Sequence, residues 1–141
     1  EALKIVEELA TSLGSKWITT DAKTHDETVA LISHLPIFIS AALLQTLDIE
    51  PNEKIKELAK QIASSGFEDT TRVGGGNPAL GTSLAKNNKE SILTALASYR
   101  SNLEQLEKTI IEENWQKLEK ELNITQSFRD SLESINHGSD G

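Results

Sequence analysis

Ile92, Leu96, Tyr99, Leu103, Leu106 and Ile110 follow one another at alternating steps of four and three, a heptad seam held for nearly three repeats. Such spacing specifies a long helix with one apolar edge, and an apolar edge has to be covered. A second stripe, Trp115, Leu118, Leu122, Phe128, Leu132 and Ile135, follows it and is disturbed at Ile124 and Thr125. Two such seams exceed what a small domain needs for one internal antiparallel pair. Either they bury each other or a seam also serves a symmetric dimer, and periodicity leaves both open.

The rest of the chain is also helical in pattern. Leu3, Ile5, Val6, Leu9 and Leu13 predict a helix over residues 2–13 that Gly14 ends. Residues 16–20, KWITT, are β-branched and aromatic and predict a short strand, although one strand makes no sheet. A long second helix starts at Asp21 or Thr24, with Glu27 three residues after Thr24 as in a capping box, and runs to about Leu47. Pro36 lacks an N–H and frees the carbonyl of Ile32, so this helix should kink near residues 33–36. The kink would leave a backbone acceptor beside Ser33 and His34, unless Ser33 simply bonds back to Val29. Asp26, Ser33 and Ile37 fall near one face of the helix, while His34 points with Ala30 and Ala41.

Gly66 follows a helical run over residues 53–65, where a left-handed C-terminal cap is expected. Gly74, Gly75 and Gly76 provide backbone that can take positive φ and admit a ligand or second chain. Asn77 and Pro78 restart the chain as N-cap and first helical residue, and Asn87 and Asn88 break the short helix that follows. The seam helix then covers residues 89–113, and residues 137–141 read as a disordered tail. Arg72 therefore belongs to a short hinge between helices, where its planar fork of donors suits a carboxylate or phosphate.

Composition removes several function classes. The 141 residues are 37% hydrophobic and 26% charged, enough for one domain with a core. A net charge of −8 with no Lys/Arg cluster repels nucleic acid. There is no cysteine, and three scattered histidines do not make a metal site. His25 and His34 face opposite ways, have no carboxylate at an obvious spacing, and read as structural histidines. The apolar run of residues 29–44 is interrupted by Ser33, His34, Pro36 and Ser40 and reads as too polar for a membrane span. A cytoplasmic location fits. No GxGxxG follows a strand, and GGGNPALG comes after a helix, so no dinucleotide fingerprint is present.

Three spaced motifs carry a family resemblance: His25-Asp26, then Ser33-His34-Leu35-Pro36, then Gly66-Phe67, Asp69 and Thr71-Arg72. Together they resemble the C-terminal helical domain of the prephenate and arogenate dehydrogenase family, over residues 2–132. The stretches TRVGGGNPALG and YRSNLEQLEKTI are similar to the cyanobacterial type, associated with arogenate and NADP. The resemblance implies an all-α bundle whose long helices form an intertwined homodimer. Residues 1–20 would be a helix-strand remnant or linker of an N-terminal dinucleotide-binding domain, and residues 21–141 the substrate-binding and dimerisation domain.

The activity implied is oxidative decarboxylation of arogenate or prephenate with NADP in tyrosine biosynthesis, NADP being held mainly by the absent half. By the same resemblance Arg72 binds a substrate carboxylate, Ser33 and His34 line the pocket, and Asp69 approaches from the partner subunit. The family's catalytic histidine lies in the nucleotide half, so no catalytic residue is expected here and the chain alone should be inactive. Ile37 stands where prephenate-using relatives have a second histidine, which favours arogenate; Glu68 stands where Arg or Lys is frequent and lowers local positive potential. Readings of other classes are a stand-alone helical module binding an aromatic amino acid such as tyrosine beside Arg72, and a helical adaptor without a small-molecule site.

Overall fold

Asp21 starts the principal helical run of the protein. In the computed structural model, which describes residues 1–137, its carboxylate accepts from the Thr24 amide (3.0 Å) and the Thr24 hydroxyl (2.6 Å). That bond occupies Thr24, and Glu27 reaches Lys23 (3.8 Å) instead of closing a capping box. Helix α2 (Ala22–Val29) then passes into a π-turn (Ala30–His34) and on into α3 (Leu35–Asp48). The expected kink at Pro36 is resolved by this wider turn, in which the Leu35 amide donates to the carbonyl of Ala30, five residues back. Pro36 is the second residue of α3; because the helical run continues through it, the bond its missing N–H would have made to the preceding turn is lost.

Helix α1 (Ala2–Ser12) precedes this run and is closed by Gly14 at φ +70°. The predicted strand over residues 16–20 is not formed, and the described residues contain no strand. The segment folds back on α1 instead. Trp17 Nε1 donates to Thr11 Oγ1 (3.1 Å) and Thr19 Oγ1 to Glu7 (3.3 Å), because no second strand offers a ladder.

Helix α4 (Glu53–Ile62) is capped by Asn52, and Lys56 ties it back to Asp48 at the end of α3 (3.2 Å). It ends before the expected place. Ala63 and Ser64 are extended, and Gly66 lies inside the next helix, α5 (Ser65–Thr71), rather than capping the previous one. After a turn over residues 72–76, Asn77 accepts from the Ala79 amide (2.9 Å) and Pro78 opens α6 (Pro78–Asn87), as the sequence predicts. Helix α7 (Lys89–Ile111) and helix α8 (Trp115–His137) complete the chain, with Glu113 at φ 51° and Asn114 capping α8 through the Lys117 amide (3.1 Å). His137, expected in the disordered tail, closes α8; the remaining tail residues lie outside the described part.

The chain divides into two compact units, Glu1–Ala95 and the residues from Leu96 onward. In the first unit the buried apolar side chains are Ala30 of the π-turn and Ile92 and Ala95 of α7. In the second, Thr109 is fully buried and bonds the Gln105 carbonyl (3.0 Å), while Leu103, Ile110 and Leu122 of the two seams each keep about half their surface exposed (51%, 50% and 52%). These three seam residues are therefore only partly covered within one chain. The stretch Ala22–Asp48 is long and apolar enough to cross a bilayer, contrary to the expectation from its polar interruptions. Two of those interruptions, His34 and Ser40, are buried against neighbouring elements of the protein, as in a helix that packs on protein.

Gly74 and Gly66 make opposite demands. A Cβ on Gly74 would lie 2.2 Å from the Ala41 amide nitrogen and 2.4 Å from the Ser40 carbonyl carbon, whereas one on Gly66 meets nothing within 4 Å. Gly74→Ala is expected to lower the unfolding free energy by about 3 kcal/mol, and Gly66→Ala to raise it by about 0.5–1 kcal/mol, both read by denaturant titration. The Thr24 bonds lower the Asp21 carboxyl below its ordinary value, so its contribution to stability is complete above the unfolded value and fades as pH falls through the folded one. In Asp21→Ala that component of the acid limb of a stability-versus-pH curve should be missing.

Candidate functional site

The π-turn exposes Ser33 and buries the next side chain, His34, to 8% exposure. The exposed Ser33 hydroxyl does not bond back to Val29 and makes no hydrogen bond among the described residues. His34 is met by Asn88, at the junction of α6 and α7. The Asn88 amide nitrogen lies 2.7 Å from the Asp26 carbonyl oxygen and 3.4 Å from His34 Nδ1. His25 is exposed, and contrary to the sequence reading it does have a carboxylate partner, Asp26 at 3.1 Å. No group of side chains among the described residues is arranged to hold a metal ion.

Arg72 follows the last residue of α5 and is exposed. Its guanidinium makes no ion pair among the described residues, and neither Asp69 nor Glu68, both exposed on α5, neutralises it. The turn that carries it is nonetheless fixed. Thr71 is buried and bonds the Phe67 carbonyl (2.7 Å), and the Gly74 amide donates to Ser40 Oγ (2.7 Å) on α3. Gly74 is required for that approach, not for positive φ: the expected opening for a ligand or second chain is filled at this glycine by α3 of the same chain.

Ser33, His34 and the anchor Ser40 belong to one continuous helical run, with Ser40 about 10 Å along the axis from Ser33 at the ordinary helical rise. Arg72 is held to the same run through Gly74. Asp69 lies one turn before Arg72 on α5. No hydrogen bond or ion pair joins the side chains of these four residues among the described residues. A separate cavity of about 420 Å³, lined by Leu43, Leu47, Ile55, Ala59, Ile62 and Phe67, lies between α3, α4 and α5, and none of the four residues lines it. Sequence reasoning missed Ser40 and Asn88. Ser40 read only as a polar interruption of an apolar run, and Asn88 only as a helix breaker; the signal for Ser40 was a polar residue in a helix that a glycine run elsewhere has to approach.

Residues 21–124 match the family model described as prephenate dehydrogenase, dimerization domain. The chain belongs to this family. Prephenate dehydrogenase of Lactococcus lactis is 28% identical over 126 residues, 89% of this chain and 35% of that protein. That of Bacillus subtilis is 23% identical over 132 residues, 94% of this chain and again 35% of the relative. Among solved structures, Synechocystis arogenate dehydrogenase superposes with a TM-score of 0.89 at 42% identity, over 93% of this chain and 47% of that one. The fold is also that of Aquifex aeolicus prephenate dehydrogenase, TM-score 0.84 at 24% identity over 92% of this chain and 45% of that one, a structure in complex with hydroxyphenyl propionate and NAD+. The chain thus spans about a third of the curated relatives and under half of the solved structures.

Ser40→Ala removes the shorter of the two bonds of the Gly74 amide, leaving the one to the Thr71 carbonyl (3.2 Å), without crowding α3. A loss of about 1–2 kcal/mol in unfolding free energy is expected, with faster hydrogen exchange at the Gly74 amide as the site-specific readout.

Proposed function

We propose that this chain is the C-terminal, substrate-binding and dimerising part of an arogenate or prephenate dehydrogenase, with residues 21–141 as that domain and residues 1–20 as the link to a nucleotide-binding half. The observation that carries the reading is Arg72, an unpaired guanidinium on a turn anchored to the helical run that presents Ser33 and His34. Oxidative decarboxylation of such a substrate demands that a dianion be oriented against a nicotinamide, and an unpaired, positioned Arg is suited to one carboxylate. Ser33 supplies a hydroxyl to the pocket, His34 a ring nitrogen, and Asp69 a carboxylate that reaches the pocket of the partner subunit. No catalytic acid or base is assigned in this chain, which on its own would be inactive.

NADP, arogenate and a cytoplasmic location are the finer parts of the proposal. The likeness to Synechocystis arogenate dehydrogenase and the apolar Ile37 beside the motif support arogenate; NADP rests on the cyanobacterial-type motifs. The half-exposed seam residues Leu103 and Ile110 support a homodimer, the assembly named in the family description.

The deciding assay uses the complete enzyme with arogenate and prephenate, each with NADP and NAD. Turnover of arogenate with NADP is expected; a folded enzyme that turns over neither substrate removes the reading. In that enzyme Arg72→Ala should raise KM by about 30- to 150-fold, the loss of a charge-assisted pair of about 2–3 kcal/mol. An unchanged KM would take Arg72 out of the site. Leu103→Asp should convert the dimer to monomer in sedimentation velocity, and a dimer of unaltered stability would show that the seam is not the interface.

A further inference from the structure

Asn88 touches both sides of the π-turn, and its two contacts have a chemical consequence. The Asp26 carbonyl can only accept, so the Asn88 atom 2.7 Å from it must be the amide nitrogen; the flipped amide would set oxygen against oxygen. The same nitrogen lies 3.4 Å from His34 Nδ1 and has a second N–H to give. A neutral imidazole that accepts at Nδ1 carries its proton on Nε2. The carbonyl fixes the amide, and the amide fixes the ring.

His34 Nε2 has no partner among the described residues. It is also not sealed away, since the only such buried atom lacking a partner among them is Glu121 Oε2. We propose that Asn88 is a positioning residue that holds His34 in the Nε2–H form, presenting a hydrogen-bond donor to an oxygen of the bound substrate. The ring then donates and does not accept a proton from the substrate hydroxyl. The ligand half of this inference rests on the pocket reading given above, and the tautomer half stands on the two contacts alone.

The tautomer is read directly by long-range 1H–15N correlation on the chain labelled at histidine. It carries three histidines, and the His34 signals are assigned by their loss in His34→Gln. At mildly alkaline pH, where imidazole is neutral, a single Nε2–H form is expected for His34. Asn88→Asp, which replaces the donor with an acceptor, should move the ring toward Nδ1–H. A wild-type ring in the Nδ1–H form, or in a mixture of forms, overturns the assignment even if the variant fails to fold; an unchanged ring in folded Asn88→Asp does so too. In the complete enzyme Asn88→Ala should raise KM about tenfold with little change in kcat, since a donor that binds equally in ground and transition states affects KM alone. An altered ring with an unaltered KM overturns the ligand half and leaves the ring assignment standing.

Discussion

The contact between the Gly74 amide and the Ser40 hydroxyl is the constraint on which the candidate site depends. It joins the turn after α5 to the middle of α3 at a separation that leaves no room for a Cβ. A hydroxyl buried in an apolar helix would cost free energy unless it found a partner, and the turn provides one. Since Arg72 is two residues before Gly74, the same bond anchors the stretch of backbone from which the exposed guanidinium extends. A long, exposed cation on a loose turn would search a wider volume, and anchoring its backbone in advance reduces the entropy lost on binding.

The π-turn performs a related task on the other side. Adjacent positions Ser33 and His34 at the end of this turn differ sharply, one exposed and the other buried, as neighbours about a hundred degrees apart on a helix can. Relative to an uninterrupted α-helix, the extra residue offsets all the residues after the turn together by about a hundred degrees. Pro36 makes the irregularity tolerable because it lies where α3 begins. Asn88 then fastens the turn from outside by bonding the carbonyl of Asp26 before it and lying 3.4 Å from the ring of His34 at its end.

Much of this was legible in the sequence, in different degrees. The helix starts at Asp21 and Asn77 were readable because a short polar side chain before a helical pattern has one economical use, to satisfy orphan amides. The irregularity near Pro36 was readable, but not its form, because proline excludes a regular α-helix without selecting between a kink and a π-turn. The strand over residues 16–20 failed because β propensity describes fit to a neighbouring strand, and none is present among the described residues. Gly66 misled because a glycine after an apolar periodic run looks the same whether it ends one helix or enters the next. Arg72 was visible as an isolated cation among glycines, while Ser40 and Asn88 act through partners 34 and 62 residues away, a separation that no local pattern encodes.

The exposed seams bear on what this domain needs in order to persist. Burying a large apolar side chain contributes about 1.5–3 kcal/mol, so Leu103, Ile110 and Leu122, each half exposed, retain roughly half of that apiece. Domain stability is typically only about 5–15 kcal/mol. Covering a few such residues with a second copy therefore changes the balance by an appreciable fraction of the whole. The few side chains fully buried in the chain itself, several of them small, point the same way. Assembly of this kind makes stability depend on protomer concentration, and folding and dimerisation become one equilibrium instead of two.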